Sequence, residues 1–125
     1  DVVVHTYGSA VNYGGNLAQT RDGQEWVALN SSLCNSYYQN YDKSYSSVKY
    51  HIDYNKPIIA GIQNSSVGHM VVIYGYADGG WFTNDRIRYI DPADGSMNFV
   101  DYDDFETEVL LNGEWVDSVL WYTNF

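Results

Sequence analysis

The pattern of hydrophobic and polar positions divides the chain in two. In residues 1–56, Trp26, Leu29 and Leu33 fall at i, i+3 and i+7, the single apolar stripe of a helix. Asp22 is placed to cap it, which predicts a helix over about 23–35. Residues 40–47 read as a polar loop. Ser46 or Ser47 then starts a short helix in which Val48 and Ile52 lie four apart, and Asn55 and Pro57 stop it. From residue 57 the pattern changes. Pro57 to Ile62 is a short apolar run. Met70 to Tyr76 is apolar without helical period, as in a strand buried on both faces. Residues 86–90 alternate, and 97–100 and 119–122 are further strands. Asp78-Gly79-Gly80 and Asp94-Gly95 mark turns, and Asn112-Gly113 is a hairpin signal. Asp103 or Asp104 opens a helical turn near Phe105. Helices first and an antiparallel sheet or half-barrel afterwards make the expected class α+β. The expected organisation is one domain over 1–125, helical over residues 1–56 and β over residues 57–125.

Composition narrows the picture. With 125 residues, 45% of them hydrophobic, the chain is long enough to bury a core and is not a disordered tail. Its 13 Tyr and 4 Trp favour strands and half-polar surfaces. A formal net charge of -10 argues against a nucleic-acid partner, because it repels phosphate backbones. The charge otherwise serves solubility or a cationic partner. No apolar run reaches transmembrane length, so no membrane partner is expected. Few basic residues and many Tyr, Asn, Ser and Gly fit a secreted or cell-surface bacterial protein. The single cysteine, Cys34, excludes an internal disulfide.

Of the three histidines, His5 has no obvious partner and His51 lies on a short helix expected to be exposed; both read as structural. His69 follows Gly68 and opens the strand Met70–Tyr74. If the strands flanking Gly79-Gly80 form an antiparallel hairpin centred near Gly80, position 69 faces position 91. Opposed residues project to one face, so His69 and Asp91 meet; a slip of one residue would separate them. A carboxylate beside a histidine fixes its tautomer and supports a general base or an imidazolium. On its own, such a pair reads first as a structural contact at a sheet end.

Three strings occur in order: Lys56-Pro57-Ile58-Ile59-Ala60-Gly61-Ile62, then Gly68-His69-Met70-Val71-Val72-Ile73-Tyr74-Gly75-Tyr76, then Tyr89-Ile90-Asp91-Pro92 with Asp94-Gly95. Over roughly residues 45–105 they resemble the C-terminal half of bacterial papain-like cysteine peptidases, in the style of bacteriocin-processing peptidases, staphopains and a plant-pathogen effector protease. The resemblance implies that His69 is the catalytic histidine and Asp91 its orienting partner, that substrates are proteins or peptides, and that no cofactor is needed. It also implies a nucleophilic cysteine at a helix N-terminus. Cys34 does not match. It falls near the C-terminal end of its predicted helix, only 35 residues before His69. The resemblance therefore places the nucleophile before Asp1, in a chain incomplete at its N-terminus or paired with a separate segment. The other implied reading is a papain-like module without a nucleophile that binds protein or carbohydrate.

Remaining features are open at this level. Asp101-Tyr102-Asp103-Asp104 is a solvated acidic face with a helix cap or a Ca²⁺ ligand cluster, and the stretch 91–95 lacks the EF-hand spacing. Trp81-Phe82 either packs on the sheet edge or grips a sugar or peptide. Asn30-Ser31-Ser32 and Asn64-Ser65-Ser66 match N-glycosylation sequons. Phosphate loops, Cys/His metal clusters and the GxSxG of serine hydrolases are absent from the sequence.

Overall fold

A computed structural model of the chain describes residues 36–40 and 44–122, with side chains over 44–120. The helix expected over 23–35, His5 and Cys34 lie outside the described residues. The chain divides into two compact units, Asp1–Tyr38 with Trp121–Phe125, and Gln39–Leu120. The second unit carries the site. Strand β1 (Ser36–Asn40) straddles the boundary.

Helix α1 spans Tyr45–Asp53. Its cap is Ser44, whose hydroxyl accepts from the Ser47 N–H at 3.2 Å, so the helix starts earlier than the expected Ser46 or Ser47. Any of these serines satisfies the capping chemistry, and the buried position of Val48 selects the frame. Asn55, at φ 58°, ends the helix as expected. His51 is 5% exposed, so the expectation of an exposed helix position is corrected.

The strands are β2 (Ile58–Gln63), β3 (Gly68–Ala77), β4 (Arg86–Asp91), β5 (Ser96–Asp101) and β6 (Glu114–Tyr122). Their order is β6-β2-β3-β4-β5, antiparallel at every pairing. A 3₁₀ turn (Tyr102–Asp104) and helix α2 (Phe105–Val109) carry the chain from β5 back to β6. Asn112-Gly113 therefore joins a helix to a strand and is not a hairpin tip. Its turn chemistry is real, with Asn112 at φ 56°, but Leu110–Gly113 reverses out of a helix.

One sheet face holds the core: Ile58, Ala60 and Ile62 from β2, Val71 and Ile73 from β3, Ile87 and Tyr89 from β4, and Trp115 from β6 are all buried. β3 is buried on this face, while Val72 and Tyr74 on its other side are half-buried, so burial on both faces is not what β3 shows. Phe105 of α2 stands between Tyr89 and Trp115. It meets each ring edge-on at 5.3 Å between centroids, and so ties β4 to β6 across the middle of the sheet.

Two register slips shape this face. In β6 the partner of Gly61 is Asp117 but the partner of Ile62 is Trp115. The extra residue turns Trp115 onto the core side with Ser118. The Trp115 indole N–H, donating to Ser118 Oγ at 2.9 Å and the Asp117 carbonyl at 3.0 Å, closes the irregularity. The second slip lies in β3, where Ile73 pairs with Tyr89 but Gly75 pairs with Arg88.

Candidate functional site

At the start of β3 and the end of β4, His69 Nε2 and Asp91 Oδ1 lie 2.8 Å apart. Their side chains are 27% and 21% exposed, so the pair sits at the rim of the sheet, reachable from solvent yet backed by the core. Ile62, fully buried, is directly across from His69, and Trp115 is across from Ile62. The imidazole thus stands at the edge of an apolar floor that fixes where β3 begins.

The expected hairpin centre at Gly80 and the direct opposition of residues 69 and 91 are corrected. Near the site the pairing is Val72 with Ile90, which puts Asp91 opposite Val71 and diagonal to His69. Diagonal neighbours on one face are within reach of long side chains. The connection is longer than a tight turn, running from Asp78 to Asp85. The expected contact nevertheless forms, because the offset from the expected register is even.

Local hydrogen bonds hold the carboxylate still. Asp91 Oδ1 also accepts from the Ala93 N–H at 2.9 Å, and the Asp91 carbonyl accepts from the Gly95 N–H at 2.7 Å. Gly95, at φ +71°, supplies the left-handed residue that this turn requires. Asp94 lies in the same turn. The Ser96 hydroxyl and the Ser96 N–H hold its carboxyl below the usual carboxylate range, and the charge of His69 adds to this. Behind the pair, burial pushes the Tyr89 hydroxyl up, helped by the Asp91, Glu108 and Asp94 charges. A phenol that stays protonated adds no negative charge beside the carboxylate.

With Nε2 committed to Asp91, Nδ1 is the ring nitrogen left for chemistry. In the neutral ring the Nε2–H donates to Asp91, and Nδ1 carries the lone pair. The arrangement is suited to taking a proton from an incoming nucleophile while the carboxylate steadies the resulting imidazolium.

The loops beside His69 are also ordered. Asn64 Oδ1 accepts from the Ser66 and Val67 N–H groups at 2.8 and 2.9 Å, and its amide donates to the Leu111 carbonyl at 3.0 Å. These joined turns flank the entrance to β3. Sequence reading missed Asn64 as an organiser, having noted it only as a sequon. The signal was available in its Asx-turn setting, Asn-Ser-Ser before Val67.

At the opposite end of β3, α1 is fastened to the sheet. Lys49 Nζ lies 2.9 Å from Asp78, the Tyr45 hydroxyl donates to Asp78 at 3.1 Å, and the Tyr76 hydroxyl donates to Asp53 at 2.5 Å. The acidic stretch 101–104 is partly paired rather than simply solvated. Asp101 lies 3.5 Å from Arg86 Nε and accepts from Asn84 Nδ2 at 3.0 Å. Among the described residues no group of three or more His, Cys, Asp or Glu side chains converges as a metal site, and no helix is long and apolar enough to cross a membrane.

The described fold is of the α+β class, an antiparallel sheet with short helices, and the comparison of the sequence with protein families gives its class. Residues 5–115 match the Peptidase_C39 like family, and the chain belongs to that family. It is thereby a cysteine-peptidase-like module of the papain-like superfamily, a family whose substrates are proteins or peptides. A search of curated proteins finds no match.

Proposed function

We propose that the chain supplies the histidine and its orienting carboxylate to a cysteine peptidase. The observation that carries this reading is the 2.8 Å His69 Nε2–Asp91 Oδ1 contact at an accessible sheet end, with Nδ1 left over. His69 takes the thiol proton. The thiolate sulfur bonds to the substrate carbonyl carbon, and the His69 imidazolium returns the proton to the amine as the C–N bond breaks. Water then hydrolyses the thioester. Asp91 holds the ring and the tautomer throughout.

The thiol is assigned outside these 125 residues, since Cys34, the one cysteine, lies too near His69 in sequence and at the wrong end of its predicted helix. The setting that fits is a secreted or cell-surface bacterial protein. The test is labelling of the full-length gene product with a thiol-directed peptidase probe, such as an epoxysuccinyl peptide. Labelling that disappears in His69→Ala supports the peptidase. A full-length product that encodes no further cysteine, or labelling indifferent to His69, leaves the second reading, a module that binds without cleaving.

A further inference from the structure

The hairpin between β3 and β4 carries a second feature, remote from His69. Trp81 and Phe82 are 98% and 99% exposed. Packing on the sheet edge is thereby excluded for both. Scattered apolar side chains on a surface are ordinary, but a tryptophan and a phenylalanine in sequence with almost no covered area are not.

The loop that presents them is built rather than slack. The Gly79 N–H donates to Asp85 Oδ1 at 2.8 Å and the Gly80 N–H to Thr83 Oγ1 at 2.9 Å. Asn84 is tied to Asp101, and the Tyr102 N–H donates to the Asp85 carbonyl at 2.8 Å. The chain crosses itself so closely that a Cβ on Gly79 would lie 2.2 Å from the Thr83 carbonyl oxygen. Two aromatic rings are thus held out from a fixed base.

The residues on either side of them in the chain, Gly79, Gly80, Thr83, Asn84 and Asp85, line a cavity of about 290 Å³ together with Tyr102 and Asp103. It falls just below the usual span of ligand-pocket sizes, roughly 300–1,000 Å³, room for a single small ring. Its lining is mostly polar, with hydroxyl, amide and carboxylate groups and little apolar surface. Flat aromatic faces beside a small pocket of directional hydrogen-bonding groups suit a pyranose. The C–H face of the sugar ring stacks on the aromatic π-cloud while its hydroxyls exchange hydrogen bonds with the pocket.

Other occupants fit less well. Asp78, Asp85, Asp101 and Asp103 lie about the base of the tip against Lys49 and Arg86, so an anionic membrane surface or a nucleic-acid backbone would be repelled. An apolar peptide side chain would find few apolar partners in the cavity.

We propose that Trp81, Phe82 and this cavity form a carbohydrate-binding subsite for a neutral polysaccharide. The subsite stands apart from the His69 reading and holds whether or not the protein cleaves peptides. The test is affinity electrophoresis of the whole chain in gels containing barley β-glucan, xyloglucan or glycol chitin. At least one of the three should retard the wild type. Trp81→Ala with Phe82→Ala should abolish the retardation, and Trp81→Tyr with Phe82 intact should keep most of it. Both side chains are exposed, so circular dichroism of the double variant should match the wild type and show that lost binding is not lost folding. Migration unchanged in all three polysaccharides overturns the proposal. So does retardation equal in the wild type and the double variant, and so does binding to phosphatidylserine vesicles in place of all three.

Discussion

Asp91 reaches His69 because the pairing of β3 with β4 slips by one residue at Tyr74. Beyond the slip, Gly75, Tyr76 and Ala77 pair with Arg88, Ile87 and Arg86; before it, Val72 and Ile73 pair with Ile90 and Tyr89. Carried through without the slip, the outer register would set Asp91 opposite Val72, on the sheet face away from His69. An extra residue in one strand restores the parity that brings carboxylate and imidazole together at 2.8 Å. Deletion of Tyr74 is therefore expected to separate the pair, whereas Tyr74→Val, which keeps the residue count, should preserve it. The check is ¹⁵N NMR of the imidazole. The Nε2–H tautomer signature should persist in Tyr74→Val and vanish in the deletion, and its survival in the deletion would refute the role given to the slip.

Charge and orientation at Asp91 are separable. Asp91→Asn retains an oxygen that accepts from Nε2–H, while Asp91→Ala leaves the ring and the Ala93 N–H without their acceptor. General-base contributions are typically about 10²–10⁴-fold. On the proposed peptidase reading, kcat/KM of the full-length protein should fall by about 10²-fold or more in Asp91→Ala and by distinctly less in Asp91→Asn. Equal losses in the two variants would mean that the negative charge, not the positioning of the ring, is what matters.

How much of this was legible in the sequence follows from what each element depends on. β2 to β5 were readable because short apolar runs between Pro, Gly and Asp turns have few alternatives. The His69–Asp91 contact was readable through parity, which tolerates an error of two residues in register. The slips at Tyr74 and Val116 were not readable, because a bulge is decided by which side chains the core face needs, here Trp115 beside Ile62. Asn112-Gly113 misled because left-handed turn residues serve helix exits as well as hairpins. The burial of His51 was hidden by counting only Val48 and Ile52 as the inward face of α1.

The aromatic tie across the sheet should dominate stability. Phe105 is fully buried between Tyr89 and Trp115, although α2 has only 5 residues. A helix that short has little intrinsic stability and is held by its anchor. Phe105→Ala should cost about 3–5 kcal/mol, as large-to-small core changes do. Urea denaturation followed by tryptophan fluorescence measures it, and a loss below about 1 kcal/mol would show that α2 is not anchored through this ring.

Gly113 is required for close approach rather than for backbone conformation. A Cβ there would lie 2.6 Å from the Leu110 carbonyl oxygen and 2.7 Å from Ile62 Cγ2, and Ile62 is the residue facing His69. The carbonyl is backbone and yields little, so Gly113→Ala should destabilise by about 1–3 kcal/mol, in the range of overpacked sites. It should also disturb the imidazole, visible as a shift of the His69 ring resonances that Gly80→Ala, with only Thr83 Oγ1 at 3.9 Å, does not produce.

The fastening of α1 to β3 should make stability fall at both ends of the pH scale. The hydrogen bond from Lys49, followed by that from Tyr45, holds the Asp78 carboxyl below its ordinary value. A carboxylate depressed in the folded state contributes stability present above its unfolded pKa of about 3.9 and lost as pH falls through the folded value. In the alkaline direction three groups are raised. Lys49 is raised chiefly by its hydrogen bond to Asp78, Tyr45 by burial and then by Asp78, and Tyr76 by its hydrogen bond to Asp53. Groups raised in the folded state contribute stability that is complete below their unfolded values, about 10 for tyrosine and 10.4 for lysine, and is lost as pH rises beyond them. Because Asp78 and Lys49 are exposed, the acid effect of this one pair is small and weakens with salt. The expected outcome is that Asp78→Asn lowers the urea midpoint at pH 7 and narrows the gap to wild type as pH falls from about 4 to about 2. A gap between the two proteins that stays constant across that interval would mean that the Asp78 charge does not fasten the helix.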